Sequence, residues 1–251
     1  MHTIVAYSES QDPGDVEVNV AAVPDQEVRT TGDEVIVPET FNQIIGALAC
    51  IGATGTRAKL VAPSLRRVNP YEIFMTELAL FSSGRDNYGL HPEAPIPLAV
   101  NEALEAQIIS DPATAERATL GVFLSPGALA PVGGQSRPVR FSAALPLTGG
   151  EWDFTGINFI DDLPVGNYQV VGGAMVVPAG VLWRFVPVGG THRPGAPCYQ
   201  AKNDQQDPVF RNGKLGSWFT FNTTQPPSIE VLASAADTSK TYYGVMDVLP
   251  Q

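Results

Sequence analysis

The chain has 251 residues and a formal net charge of −11, and only 16% of its residues are charged. Hydrophobic residues make up 44%, enough for a sizeable core, and the 24 glycines and 22 prolines favour turns over long helices. The acidic balance argues against non-specific binding to nucleic acid or to anionic membranes. No apolar stretch reaches about 18 residues, and residues 1–15 lack the regions of a signal peptide, so we expect neither a transmembrane segment nor a signal peptide.

The N-terminal half begins with segments that predict an arm and several strands. Residues 1–15 are predicted to be a flexible arm. Residues 16–20 alternate apolar and polar side chains with a period of two, as half-buried strands do. Residues 34–37 and 57–63 are predicted as further strands. Residues 70–81 carry both strand and helix spacings, and we interpret them as a strand.

Two other segments in this half have the periodicity of amphipathic helices. In residues 39–51 the apolar side chains recur at spacings of three and four, Thr40 is a suitable N-cap, and Gly52 ends the pattern. Residues 98–109 (LAVNEALEAQII) form the second predicted helix, with Asn101 as its cap. The sequence therefore predicts two short helices in the N-terminal half.

Glycine and proline divide the second half into regularly spaced strands. Residues 125–138 (SPGALAPVGGQSRP) could be a domain boundary or a long loop within one domain. In residues 163–188 two apolar runs flank a Pro-Ala-Gly corner and are predicted to be the central strand pair. Turn signals from Val139 onward recur about every ten residues, which is typical of a sandwich or jelly roll. We predict a mainly β, jelly-roll-type antiparallel β-sandwich that occupies residues 16–251 as a single domain.

No motif in the chain indicates a catalytic centre. The three histidines, His2, His91 and His192, are far apart in sequence. The nearest glycine–serine pair, Gly216-Ser217, lacks the second glycine of a nucleophile elbow. We therefore predict no catalytic residue, no cofactor and no enzymatic activity.

One pair of carboxylates is a weak candidate for metal binding. Asp161 and Asp162 follow a short apolar segment and precede a Leu-Pro-Val-Gly sequence. Adjacent side chains on an extended chain point to opposite faces, so the simpler interpretation is two solvated acids at a strand end. A calcium ion held in the loop is the alternative.

The tryptophans and cysteines give two further expectations. Trp183 and Trp218 lie within strand patterns and are predicted in the core, whereas Trp152 is expected to be partly exposed and could serve as a platform for a sugar. Cys50 and Cys198 could form a disulfide, but two cysteines in a chain of this size do not make a disulfide framework. We expect reduced thiols.

Basic residues form two groups that could pair with carboxylates of a neighbouring copy or be ordinary surface charge. The groups are Arg57, Lys59, Arg66 and Arg67, and His192, Arg193, Lys202, Arg211 and Lys214.

The second half carries the segments LPVGNYQVVGGAMVVPAG and VLWRFVP, a long loop from RPGAPCYQ to GSWFTF, and the closing PPSIEVLASAADTSKTYYGVMDV. In pattern and loop style, residues 139–248 resemble the single jelly-roll coat subunits of icosahedral viruses, including tailless bacterial and archaeal ones. This resemblance implies a two-sheet sandwich whose copies tile a closed shell. Many coat proteins carry a basic arm that binds the genome, whereas the arm of this chain is acidic.

From the resemblance we predict a self-assembling structural subunit, a viral or phage capsid protein located in the virion and assembled in the host cytoplasm. Its expected partners are copies of itself, in a large homo-oligomer, and other particle proteins, without direct binding of nucleic acid. The alternative is a non-catalytic jelly-roll module that binds a carbohydrate or another ligand and could depend on calcium, with Trp152, Asp161 and Asp162 as its candidate residues.

Overall fold

The computed structural model describes residues 1–11, 16–50, 57–67, 71–74, 92, 94–109, 116–199 and 208–251. The chain divides into two compact units. The N-terminal unit is Ile4–Ala128, and the C-terminal unit is Leu129–Gln251 together with Met1–Thr3. The division therefore lies inside the glycine- and proline-rich segment 125–138, which the sequence left open as a boundary or a loop.

The described part of the N-terminal unit is built from strands in two sheets. Its strands are β1 (Thr3–Gln11), β2 (Val18–Asn19), β3 (Thr30–Thr31), β4 (Glu34–Ile36), β5 (Gln43–Cys50), β6 (Arg57–Val61), β7 (Tyr71–Phe74), β8 (Ile96–Pro97), β9 (Ala103–Ile109) and β10 (Glu116–Ser125). One sheet has the order β1-β10-β5-β8, and the other has the order β3-β4-β9-β6-β7, with β2 also paired to β9. A 3-10 turn, Leu65–Arg67, follows β6. Strand β7 confirms part of the strand predicted at residues 70–81, and the rest of that prediction lies outside the described residues.

The helix predicted at residues 39–51 is wrong, because this segment forms strand β5. Strand β5 pairs antiparallel with β10. Its side chains are buried on both faces, as Ile44, Ala47 and Leu48 show. A strand buried on both faces has a continuous apolar run instead of a clean alternation, and helical spacings arise in such a run by chance.

The helix predicted at residues 98–109 is also wrong, because this segment contains strand β9. Leu104, Ala106 and Ile108 are buried, and the residues between them are not, which is the period of a strand. Asn101, which the sequence placed at a helix cap, has a φ of 64°. Asparagine tolerates this left-handed conformation better than most residues, so it serves here as a turn residue before the strand.

Residues 3–11 form strand β1 and differ from the flexible arm predicted for residues 1–15. The run IVAY is buried, and the hydroxyl of Tyr7 donates a hydrogen bond to the Leu104 carbonyl at 2.5 Å. Four consecutive apolar residues hide the alternation by which an N-terminal strand would be recognised. Residues 12–15 lie outside the described part of the chain.

The core of the N-terminal unit is mostly aliphatic. Its buried cluster contains Tyr7 and Phe41 as aromatic members, and the others are small or branched apolar residues. Representative members are Val20, Val35, Ile44, Leu60, Leu104, Ile108, Leu120, Val122 and Leu124.

The described part of the C-terminal unit also consists of two sheets. Its strands are β11 (Arg137–Leu147), β12 (Trp152–Gly156), β13 (Asn158–Phe159), β14 (Asn167–Val176), β15 (Gly180–Val186), β16 (Gly195–Pro197), β17 (Phe219–Asn222), β18 (Ser228–Ala233) and β19 (Asp237–Pro250). The first sheet has the order β13-β11-β19-β14-β17, and the second has the order β12-β18-β15-β16. A 3-10 turn, Pro208–Phe210, lies between β16 and β17.

Aromatic rings fill the space between the two sheets of the C-terminal unit. Phe141 on β11 lies 6.2 Å from Trp183 and 5.9 Å from Phe185 on β15, measured between ring centroids. Trp183 and Trp218 are fully buried, which confirms their predicted place in the core. Gly244 lies opposite Phe141 on β19, and a side chain there would come within 2.3 Å of the phenylalanine ring. The glycine is therefore needed for the sheets to close on this ring.

The strands of the two units pair in the same order. In the C-terminal unit β11 pairs with β19, β12 with β18, β14 with β17, and β15 with β16. In the N-terminal unit the equivalent pairs are β1 with β10, β4 with β9, β5 with β8, and β6 with β7. In both units the first strand therefore pairs with the last. Each later pair joins strands that lie closer together in sequence, and successive pairs belong alternately to the two sheets.

Candidate interaction surface

The outer face of the first sheet of the C-terminal unit has an open half and a covered half. Successive side chains of β19 alternate between the two faces of the sheet, so Tyr242 and Met246 are buried whereas Tyr243 is 54% exposed. The cross-strand neighbours of Tyr243 are Ser142 on β11 and Val176 on β14. We call the open half the open face, and it comprises Arg140, Ile160, Ala174, Val176, Pro178, Thr241, Tyr243 and Val245.

The open face is a shallow groove of about 650 Å³ with an apolar centre. Val176 lies opposite Tyr243, and Ala174 lies opposite Val245, so four apolar side chains adjoin at the middle of the sheet. Ile160, at the edge, is 46% exposed. This apolar area makes the groove a candidate surface for contact with another molecule.

The covered half lies under residues 208–216. Asp247 on β19 is fully buried, and its carboxylate accepts hydrogen bonds from Arg211 Nε at 2.7 Å, Arg211 Nη2 at 2.8 Å and the Asn212 backbone N–H at 2.9 Å. Gly172 lies opposite Asp247, and a Cβ atom there would be 2.8 Å from the carboxylate and 2.9 Å from the Cα of Arg211. A glycine at this point of β14 therefore lets the segment pack directly on the sheet.

Two cations of this sheet pair with aspartates, and Arg140 is the one on the open face. Lys240 lies opposite the buried Leu145 and therefore belongs to the other face of the sheet. Arg140 donates hydrogen bonds to both carboxylate oxygens of Asp161 at 2.5–3.1 Å, and Lys240 Nζ lies 2.6 Å from Asp237. The side chains of Arg140 and Lys240 are 67% and 53% exposed, whereas those of Asp161 and Asp237 are 23% and 21% exposed. In both pairs the cation is therefore more exposed than its carboxylate.

Electrostatics keep both of these carboxylates ionised. Hydrogen bonds from the Arg140 side chain and backbone lower the pKa of Asp161 to about 2. The hydrogen bond from Lys240 lowers the pKa of Asp237. The two ion pairs consequently persist across the neutral pH range.

Asp161 and Asp162, the candidate metal ligands, are held by arginines. Both carboxylate oxygens of Asp161 accept from Arg140, whose backbone N–H also donates to one of them at 2.7 Å. The backbone carbonyl of Asp162 accepts from Arg137 Nη2 at 2.8 Å. A guanidinium thus lies where a cation bound by Asp161 would lie. In the part of the chain that the structure describes, no group of three or more His, Cys, Asp or Glu is placed to hold a metal ion.

Trp152, the candidate sugar platform, is stacked on a buried ion pair. The Arg184 guanidinium lies 3.9 Å from the centroid of the Trp152 ring system, and Arg184 Nε donates to Glu230 Oε2 at 2.6 Å. The side chains of Arg184 and Glu230 are only 1% and 6% exposed. Trp152 is partly exposed, as predicted, but one face of its ring is covered by Arg184. Phe154, on the same strand, is 60% exposed, although no sequence signal singled it out.

The described histidines belong to the C-terminal unit and contact its backbone. His2 is fully buried, with its ring edge-on to Trp218 at 5.0 Å and its Nε2 atom 2.9 Å from the Gly195 carbonyl oxygen. His192 Nε2 lies 2.8 Å from the Trp218 carbonyl oxygen. Burial lowers the pKa of His2 to about 3, although the hydrogen bond with the Gly195 backbone raises it. His91 lies outside the described residues.

Because His2 is neutral in the fold, we expect the stability of the protein to depend on this side chain in acid. The folded-state pKa of about 3 is below the ordinary value of 6.5, so the unfolded chain binds a proton first as the pH falls. The contribution of the neutral His2 side chain to the free energy of unfolding is therefore complete above pH 6.5 and is lost progressively between pH 6.5 and about 3. Urea titrations of the wild type and His2→Gln at several pH values measure this. The free energy of unfolding of the wild type should fall more steeply than that of the variant, by at most about 1.4 kcal/mol per pH unit. Parallel curves would contradict the prediction.

Cys50 and Cys198 are free and buried. Burial raises the pKa of the Cys50 thiol to about 12 and raises that of Cys198 as well. A thiol with a raised pKa is a poor nucleophile, because the thiolate is the reactive form. Both cysteines therefore behave as small apolar core residues.

The two units differ strongly in charge. The N-terminal unit contains 17 acidic and 7 basic residues and has a net charge of −10. The C-terminal unit contains 9 acidic and 8 basic residues and has a net charge of −1. Almost the whole negative charge of the chain therefore belongs to one half of it.

Sequence reasoning did not find the open face. Of the predicted groups of basic residues, Lys59 pairs with Glu17 and Arg211 pairs with Asp247 within the chain. Arg140 could have been recognised, because exposed and buried side chains alternate along β11. Tyr243 could not have been recognised in this way, because it follows Tyr242. Only the pairing register of β19 decides which of the two tyrosines faces outward.

In the described residues, no helix has the length and apolar character needed to span a membrane. Comparisons of the chain with family models, with curated proteins and with solved structures found no match.

Proposed function

We propose that this chain is a self-assembling structural subunit, the coat protein of an icosahedral viral particle, built from two jelly rolls in tandem. The observation that carries the proposal is the strand order that occurs in both units. In each unit, eight of the described strands pair first with last, second with seventh, third with sixth and fourth with fifth, in two sheets. Strands β2, β3 and β13 are additional to these eight. This order supports the assignment to a jelly roll, in which a long antiparallel hairpin is rolled into two facing sheets.

Jelly rolls serve in viral coats, in lectins and in cupin enzymes, so fold alone does not decide between these uses. Three features support a coat protein. Residues 139–248 resemble coat subunits in their strand and loop pattern. The charged fraction of 16% is low, which suits a surface that is largely covered in an assembly. The open face provides an apolar area with a polar rim, as protein interfaces do.

The sugar-binding alternative has less support from the described residues. Its main aromatic candidate, Trp152, has one ring face stacked on Arg184. The carboxylate of Asp161, its candidate calcium ligand, is bonded to Arg140. In each case an arginine of the chain lies against the group that a ligand would contact.

Light scattering coupled to size-exclusion chromatography, followed by negative-stain electron microscopy, tests the proposed function. We expect purified protein at increasing concentration to form large oligomers or closed shells of uniform size. A protein that remains monomeric over a wide range of concentration, salt and pH would overturn the proposal.

A further inference from the structure

Residues 1–3 lie on the outer edge of strand β16, which is the last strand of the described sheet β12-β18-β15-β16. The Phe185 N–H donates to the Pro194 carbonyl at 2.8 Å, so these two residues form a hydrogen-bonded pair between β15 and β16. Along an antiparallel ladder such pairs alternate with pairs whose N–H and C=O groups point away from the partner strand. Gly195, opposite Arg184, belongs to the next pair, so its backbone groups point to the outer edge of the sheet.

The His2 side chain occupies this edge. Its Nε2 atom lies 2.9 Å from the Gly195 carbonyl oxygen and 3.2 Å from the Gly195 nitrogen. The ring is fully buried and stands edge-on to the Trp218 ring. Thr3 adds a second contact, because its hydroxyl oxygen accepts a hydrogen bond from the Arg193 N–H at 3.0 Å. A sheet edge that is covered in this way is protected from pairing with another strand.

The surroundings of His2 disfavour a protonated ring. The Met1 amino group, on the same segment, and His192, on the loop that leads into β16, both act against a positive charge on it. Arg193, on the same loop, carries a permanent positive charge, and its guanidinium donates to the His192 carbonyl oxygen. Trp218, which packs against the ring, is uncharged. A proton taken up by His2 therefore places a positive charge in a buried position beside other basic groups.

We propose that residues 1–3 are a latch on β16, which is closed while the His2 ring is neutral and opens when the ring binds a proton. A protonated ring is better hydrated outside the fold, and its Nε2 atom can no longer accept the Gly195 N–H. Opening leaves the N–H and C=O groups of Gly195 exposed at the edge of the sheet. The latch thus makes access to this edge depend on pH, whatever the oligomeric state of the chain.

Hydrogen exchange resolved to single amides tests the latch in the full chain. The pKa of His2 is about 3 in the closed latch, and its ordinary value is 6.5. The equilibrium constant for opening should therefore rise about tenfold for each pH unit as the pH falls from about 6 to about 4. We expect the protection factor of the Gly195 amide, corrected for the intrinsic rate, to fall by the same factor.

The Phe185 amide is the internal control, because it donates to β16 from the inner side of the pairing. We expect its protection to stay high over the range in which Gly195 loses protection. Equal losses at both amides would show that β16 separates from β15 or that the unit unfolds, and this result would overturn the latch. A Gly195 amide whose protection does not change with pH would overturn it as well.

Three variants assign the effect to His2. His2→Ala removes the side chain that covers the edge, so the Gly195 amide should exchange rapidly at neutral pH. His2→Gln cannot titrate, so its protection factor at Gly195 should not depend on pH. The matched control is His192→Gln, which removes the neighbouring titratable ring and should keep the pH dependence of the wild type. Wild-type protection in His2→Ala, a pH dependence kept in His2→Gln, or one lost in His192→Gln would overturn the assignment.

Discussion

Replacing Glu230 by alanine is expected to lower the free energy of unfolding by about 3–5 kcal/mol, the cost of leaving a buried charge without its partner. Glu230 accepts a hydrogen bond from Arg184 at 2.6 Å, and the two side chains are 6% and 1% exposed. The remaining guanidinium would keep its contact with Trp152 but would lose its countercharge in a dehydrated position. Urea-induced unfolding followed by circular dichroism measures the loss.

The double variant Arg184→Met, Glu230→Leu separates the cost of an unpaired charge from the value of the pair. Two apolar residues of similar size remove both desolvation costs, so its stability should be close to that of the wild type. If the double variant is as unstable as Glu230→Ala, the ion pair itself is required for the fold, and the explanation by desolvation is wrong.

Replacing Asp247 by alanine should cost about 3 kcal/mol and loosen residues 208–216 from the sheet. The carboxylate is fully buried and accepts three hydrogen bonds, two of them from Arg211. Its hydrogen bonds raise the pKa of Arg211 in the wild type. After the substitution that increase is lost, but the guanidinium stays charged because arginine is not deprotonated in proteins. Unfolding in urea reports the stability, and hydrogen exchange of the amides of Asn212 and Gly213 reports the detachment of the segment.

Asp237→Ala is the matched control, since this residue lies on the same strand in an exposed ion pair with Lys240. Exposed pairs contribute little, so we expect the midpoint in urea to change only slightly. An unchanged exchange rate at Gly213 in Asp247→Ala would show that the segment is held by its backbone contacts, such as the hydrogen bond from the Gly213 N–H to the Val171 carbonyl oxygen at 2.7 Å.

The mainly β character of the chain could be predicted from its sequence. The secondary structure of two apolar segments in the N-terminal half, predicted as helices and found as strands, could not. Residues 98–109 show the limit, because LEAQII satisfies both a period of two and a helical face. The partner strand decides between them, and that partner is distant in sequence, as the pairing of Ala106 on β9 with Leu60 on β6 illustrates. Local propensity is overridden in such cases by non-local pairing.

The repetition of strand order could not be predicted, because the two units fill their cores differently. The C-terminal core contains Phe141, Trp183 and Phe185 in mutual contact, whereas the N-terminal core is mainly aliphatic. Two sequences can therefore share a winding without sharing recognisable residues, since volume and pattern are what a core requires. The open face was missed for a related reason. Its residues come from separate strands, and only their register brings Tyr243 next to Val176.

The strand order also determines when a nascent chain can fold. In each unit the two strands synthesised last, β9 and β10 or β18 and β19, lie in the interior of their sheets, between strands made much earlier. On a ribosome-bound chain, one sheet of a unit therefore stays split until the penultimate strand emerges and the other until the final strand emerges, and pairing between distant segments is slow. The N-terminal unit can close once β10 has emerged, whereas the C-terminal unit also requires β19, Asp237–Pro250.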